Sequence, residues 1–405
     1  LEPADKTGLA SLTGSVLRTG GTTNMSGDAL DDFLEGRAAS IETGIGTEFG
    51  SAGMSCLKDD FPQVLKVFAD VLHHPIFEPD KIEVARNQMV SGISRQNDNP
   101  QQILFREFGK IIYGKDSPYA ATPTYASLGS ITRDDLMAWH KKFFHPNRII
   151  IGLAGDFDTA QVLTQIKQVF GDWKKGPAPS KVDIAYNKIT HPGVFYIEKN
   201  DMTQSNIAMG HLGILRNNPD YYAVEVMNEV FSGGFASRLF SNVRSKKGLA
   251  YAVRGGVDSD WDHPGTFQMW MTTKTETTAA GIDALLEEAR NITAQPPTEE
   301  EVRKAKDAIL NSFVFNSAQD SPAADHLRVL RLSPGLAEPL SGWDRTRDHQ
   351  PGAPGGRQVH PSGSFRHPGR RPEGGSRPAP QRFWRGGGCG HHHSRSPGGE
   401  GRGQQ

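Results

Sequence analysis

One plan of helices and strands occurs twice in this chain, and that repetition limits the fold more than any other feature. In the first copy, Leu30, Phe33 and Leu34 give a helix over Gly27–Ala38 its apolar face. Ser40–Phe49 and Ser51–Leu57 alternate and read as adjacent antiparallel strands. Amphipathic helices follow over Phe61–Leu72, Asp80–Gln96 and Gln101–Tyr113. Another opens at Thr132 and runs through His140, with Asp134 and Asp135 in its first turn, where carboxylates suit the helix dipole. Ile149–Gly155 reads as a buried strand and Thr159–Phe170 as a closing helix. The second copy offers strands at Gly193–Glu198, Ser205–Gly213, Tyr251–Ser259 and Gly265–Thr272. Its helices are Pro219–Phe231, Thr277–Ile292 and one that opens at Thr298. Doubling at this period predicts an α+β protein of two homologous α/β domains, each with a mainly antiparallel sheet flanked by helices. The boundaries are a first domain over 1–178, a linker over 179–192 and a second domain over 193–331.

Length supports this division, because 405 residues exceed one ordinary core. The 45 basic and 46 acidic residues leave a net charge of −1, so no global field favours nucleic acid or a membrane surface. No apolar run reaches the roughly 18 residues of a membrane span. Cys56 and Cys389 are the only cysteines and suggest neither a disulfide framework nor a thiolate metal site. The chain opens at Leu1 rather than Met, so the lack of a targeting segment carries no information about location. Residues 332–405 are rich in Gly, Pro and Arg and lack apolar periodicity, a composition usually found in disorder. The abrupt change near Ser333 is the mark of a shifted reading frame. A continuous frame in the coding DNA, matched by the intact protein mass, would contradict that expectation.

The stretch SGGFASRLFSNVRSKKGLAY, Ser232 to Tyr251, carries the candidate site. Ser237 is placed to cap a helix bearing Arg238, Leu239, Val243 and Arg244, and Gly248 ends it before the strand that Tyr251 enters. A guanidinium and a phenol so close in sequence can together clamp a carbonyl or carboxylate. On local pattern alone, a solvated helix face for Arg244 and a core position for Tyr251 are the more ordinary reading.

With the upstream DMTQSNIAMGHLGILRNNPDYYAVEVMNEVF, this stretch resembles the second-domain signature of the pitrilysin/insulinase-type zinc metallopeptidases, the inverzincin family. The resemblance implies a clam-like pair of domains, with Arg244 and Tyr251 holding substrate near the zinc. It also implies an H-x-x-E-H helix near the start of the chain. Gly8-Leu9-Ala10 and Gly20 to Thr22 match the frame of that helix, but its two His positions fall on Ser11 and Ser15 and its Glu on Gly14. The third ligand, a Glu on a later helix, falls on Gly92. Serine and glycine provide neither comparable zinc ligands nor a general base.

The other histidines read as structural: His73 and His74 at a helix end, with no acidic partner expected, and His140 and His145 around another. His391 to His393 fall in the anomalous tail. The resemblance therefore implies a non-catalytic subunit of a heteromeric zinc peptidase. The chain itself would hold no cofactor, and the zinc would sit in a homologous partner. Arg244 and Tyr251 would orient a peptide substrate, added as an extended strand at a sheet edge. Location stays open, with periplasmic or exported proteins common among the bacterial relatives. The alternative is an inactive structural or peptide-holding homologue. An active peptidase is disfavoured because neither H-x-x-E-H nor H-E-x-x-H occurs anywhere.

Overall fold

The computed structural model describes residues 2–178, Ile184 and residues 193–318. Most of the tail lies outside the described residues, as does nearly all of the 179–192 segment. Residues 2–178 and 202–318 pack as one unit, while 193–201 belong to a second. The class is α+β with mainly antiparallel sheets, as the sequence pattern predicts. No helix among the described residues is long and apolar enough to cross a membrane.

The first half is built around α1 (Leu9–Thr19). Its Leu12 and Val16 are fully buried, packing with Leu30 of α2 (Gly27–Glu35), Val64 and Val71 of α3 (Phe61–His73) and Ile82 of α4 (Pro79–Arg95). β1 (Ser40–Ile45) and β2 (Gly50–Ser55) form an antiparallel hairpin, with Ile41 facing Met54 and Thr43 facing Ala52. α5 (Pro100–Tyr113), α6 (Tyr125–Ser130), α7 (Arg133–Phe143) and α8 (Thr159–Phe170) follow. α7 starts in a reciprocal cap: Thr132 Oγ1 accepts from the Asp135 amide and Asp135 accepts from the Thr132 amide. The expected strand at Ile149–Gly155 does not form. A strand exists only through its neighbours, and no ladder lies beside this run, which leaves Ile150 and Ile151 exposed.

In the second half the sheet order is β3-β7-β5, all antiparallel. It comprises β3 (Gln204–Leu212), β7 (Thr266–Lys274) and β5 (Ala252–Val257). The short β4 (Ile214–Leu215) and β6 (Ser259–Asp260) pair in parallel. Thus the expected strand over Tyr251–Ser259 divides into β5 and β6. Phe231 of α9 (Tyr221–Ser232), Leu239, Val243, Met271 and Leu285 of α10 (Thr278–Ala294) form the core. The Arg238 guanidinium grips both oxygens of Glu301 at 2.8 Å, at the start of α11 (Glu299–Ala318), and donates to the Gln295 carbonyl at the end of α10. Arg238 thereby holds the Glu301 carboxyl down to about 2. Residues 193–198, expected as a strand, join no ladder, and Val194, Phe195 and Tyr196 are exposed.

The two halves meet where α5 lies on β3. Phe105 of α5 packs edge-on against Trp270 of β7, with ring centroids 5.9 Å apart. At the far end of α5, Tyr113 donates to the Pro264 carbonyl at 3.1 Å, and Tyr119 donates to Asp262 Oδ2 at 3.1 Å.

Candidate functional site

Arg244 and Tyr251 sit on either side of a helix end with a specific geometry. The backbone from Phe240 to Lys246 is a π-helix rather than the expected α-helix. Ser237 stands just ahead of this turn, and its carbonyl accepts from the Ser241 amide. Gly248 then takes φ +63°, the left-handed conformation that a side chain disfavours. This lets the Leu249 amide reach back to the Val243 carbonyl at 3.1 Å and the Gly248 amide to the Arg244 carbonyl at 3.1 Å. Such a closure satisfies carbonyls that a helix end leaves open. Beyond it, the Leu249 carbonyl accepts from Thr273 Oγ1 at 2.7 Å, and the Tyr251 amide bonds Thr272 at 2.9 Å, as β5 joins β7. The backbone that carries both residues is therefore fixed on both sides of the turn.

Their side chains are not fixed. Arg244 is exposed, its guanidinium 4.8 Å from the Phe240 ring centre. Tyr251 is 74% exposed, against the ordinary expectation of a core tyrosine. Phe235, also exposed, meets the Phe240 ring edge-on. The Arg244 guanidinium and the Tyr251 hydroxyl are thus exposed and without hydrogen-bonding partners among the described residues. The adjacent edge of β5 is partly taken up: Gly255 donates to Ser232 Oγ, and Val257 exchanges two hydrogen bonds with the Asn228 side chain of α9. These bonds occupy backbone groups that an added strand would need. Among the described residues, β3 pairs on one side only.

The four positions aligned with metal chemistry lie on α1 and α4. Ser11 and Ser15 are exposed on α1, and each offers a hydroxyl. Gly14 is buried against β1. A Cβ there would stand 2.4 Å from the Ile45 amide nitrogen, and the Gly14 carbonyl accepts from Thr43 Oγ1 at 2.8 Å. Gly92 differs: nothing lies within 4 Å of its missing Cβ, and it borders an open hollow of ≈ 390 Å³ with Met89, Ile93, Arg106 and Pro123. A longer side chain would fit at 92 and not at 14.

One reading of the histidines at helix ends needs correction. His74 does have an acidic partner, Asp70, four residues earlier on α3; Nδ1 and Oδ1 are 3.0 Å apart. That spacing was legible, since positions i and i+4 share a helix face. His140 Nε2 bonds the Leu72 carbonyl at 2.8 Å, and burial, followed by the neighbouring histidines, pushes its protonation to lower pH. Cys56 is a free, half-buried thiol.

An α+β fold with mainly antiparallel sheets is the architecture that the resemblance implies. Comparison with known proteins identifies the family. The profile described as Insulinase (Peptidase family M16) matches residues 1–120, and that described as Peptidase M16 inactive domain matches residues 130–309. The chain belongs to this pitrilysin/insulinase family. A crystal structure of a peptidase M16 inactive domain from Pseudomonas fluorescens superposes with a TM-score of 0.73 at 28% identity, covering 83% of this chain and 80% of that one. A Helicobacter pylori protease shares the fold, with a TM-score of 0.70 at 19% identity over 83% of this chain and 82% of its own. An uncharacterized zinc protease of Rickettsia felis is 25% identical over 262 residues, 64% of this chain and 62% of the relative, so the match spans less than two thirds of that protein. Bacillus subtilis YmxG, also described as an uncharacterized zinc protease, is 23% identical over 73% of this chain and 71% of its own.

Gly14 supplies a test of the first-half geometry. In an open helix, Gly→Ala stabilises by about 1 kcal/mol. Here the added Cβ meets the backbone of β1, and overpacking costs about 1–3 kcal/mol. Gly14→Ala is therefore expected to shift the urea midpoint downward. An upward shift would mean that α1 does not rest on β1 at this point.

Proposed function

We propose that this chain is the non-catalytic subunit of a heteromeric zinc metalloendopeptidase and supplies Arg244 and Tyr251 to a homologous, zinc-bearing partner that hydrolyses peptides. The observation that carries this reading is the coexistence of two features. Arg244 and Tyr251 are exposed on a rigid turn, while the positions aligned with the zinc ligands and base hold Ser11, Gly14, Ser15 and Gly92. An exposed Tyr251 contributes nothing to a core, and a fixed backbone beneath two free donors is what preorganisation requires.

In this division of labour the chemistry that a zinc in the partner would supply is polarisation of the scissile carbonyl and activation of water. This chain's residues act on the peptide. The planar donors of Arg244 and the Tyr251 hydroxyl can hold a backbone carbonyl, limit its rotation and meet negative charge as it develops on that oxygen. No zinc is assigned to this chain's own aligned positions. Hydroxyls at 11 and 15 are poor zinc donors, and position 14 has no room for a base. The second reading, a structural or peptide-holding homologue, retains the fold and loses the role of the pair.

Arg244→Ala and Tyr251→Phe distinguish the two. Each is expected to lower peptide hydrolysis by the reconstituted pair by about 1–4 kcal/mol in kcat/KM, the range for removing a transition-state donor. Assembly and unfolding midpoint should change little, because both side chains are exposed. Unchanged hydrolysis in both variants would favour the structural or peptide-holding reading.

A further inference from the structure

A cluster separate from the Arg244 and Tyr251 side chains sits where the two halves meet. The loop between β6 and β7 carries Asp262 and His263, and the β1–β2 turn carries Glu48. His263 is only 5% exposed. Its Nδ1 faces two carboxylates, Asp262 Oδ1 at 2.7 Å and Glu48 Oε1 at 3.3 Å, while Nε2 faces Asp260 Oδ2 at 3.5 Å. One donor atom from each of Glu48, Asp262 and His263 lies within 4.8 Å of the others. We propose that these three residues form a site for a divalent ion of the zinc class, which would clasp the two halves together.

Three features favour an ion over an ordinary ion pair. First, Nδ1 can offer at most one proton, yet two carboxylate oxygens converge on it. Second, the charges do not balance. Three carboxylates surround one imidazole, and among the described residues no lysine or arginine pairs with Glu48, Asp260 or Asp262. A divalent cation is the kind of charge that such a carboxylate-rich cluster can hold. Third, the donors are held in place. The Tyr119 ring stacks on His263 with centroids 3.6 Å apart, and Tyr113 meets it edge-on at 5.4 Å. The Tyr119 hydroxyl binds the other Asp262 oxygen, Oδ2, so Oδ1 stays toward Nδ1. Outer-sphere hydrogen bonds of this kind orient metal ligands.

The donor chemistry narrows the ion. One imidazole nitrogen with two carboxylates suits zinc, whereas calcium and magnesium prefer oxygen alone. Ligand atoms around a tetrahedral zinc are about 3.3 Å apart at bond lengths of roughly 2.0–2.1 Å. The two Nδ1–oxygen distances, 2.7 and 3.3 Å, approach that spacing. The Glu48 and Asp262 side chains are partly exposed, which leaves an entry path and a fourth position for water. None of these residues is Ser11, Gly14, Ser15 or Gly92.

Isothermal titration with Zn²⁺ alone tests the proposal. The full chain is used with His349, His360, His367, Cys389 and His391 to His393 replaced by alanine, so that no histidine or cysteine of the tail contributes. Glu48→Gln/Asp262→Asn is compared on the same background, with Glu48→Gln alone as a second variant should the pair fail to fold. The expected result is one zinc per chain, at least tenfold weaker binding in either variant, and a zinc-dependent rise in unfolding temperature that the variants lose. Equal zinc affinity in parent and variants, or no zinc binding by the parent, would overturn the site. A calcium response as large as the zinc response would overturn the assigned ion class.

Discussion

The close approach of α1 to β1 at Gly14 is the contact on which the first half depends. Helix α1 touches α2, α3, α4 and α7, and its buried Leu12 and Val16 lie at the centre of the core. For the helix to lie so near the hairpin, one turn must present no side chain. Glycine at 14 allows this, with Thr43 bonding its carbonyl. Position 14, where the resemblance would put the family's catalytic glutamate, is thus a packing position.

The second half invests its specific interactions differently. Gly248 closes a helix end, Thr273 and the Tyr251 amide anchor the departing strand, and Arg238 joins the ends of α10 and α11 through Glu301. Asn242 of the same π-helical stretch donates to Glu288, which is 2% exposed on α10. These bonds hold the backbone around Arg244 and Tyr251 without engaging the two side chains themselves. Such rigidity below free donors is what the proposed role of the two residues requires.

Local patterns made much of this legible. The helices, the hairpin and the α7 cap follow from periodicity and capping residues, and the Arg/Tyr turn follows from Gly248. What escaped depends on distant partners. Ile149–Gly155 and residues 193–198 have strand-like composition, but a strand needs a neighbour and none pairs with them among the described residues. Tyr251 resembles a core residue in pattern, and only the three-dimensional turn exposes it. The His263 cluster left a partial trace in the alternating Asp258, Asp260 and Asp262, yet Glu48 arrives from the other half of the chain. His74 and Asp70 were separable by inspection alone, since a helix brings positions four apart together.

The most direct measurement of the central claim is affinity capture of this chain from its source cells, with quantitative mass spectrometry of what it retains. The account predicts a homologous chain bearing H-x-x-E-H, recovered near one to one, whose peptide hydrolysis requires this subunit. Hydrolysis by the purified chain on its own, or a partner set with no zinc-bearing homologue, would contradict it.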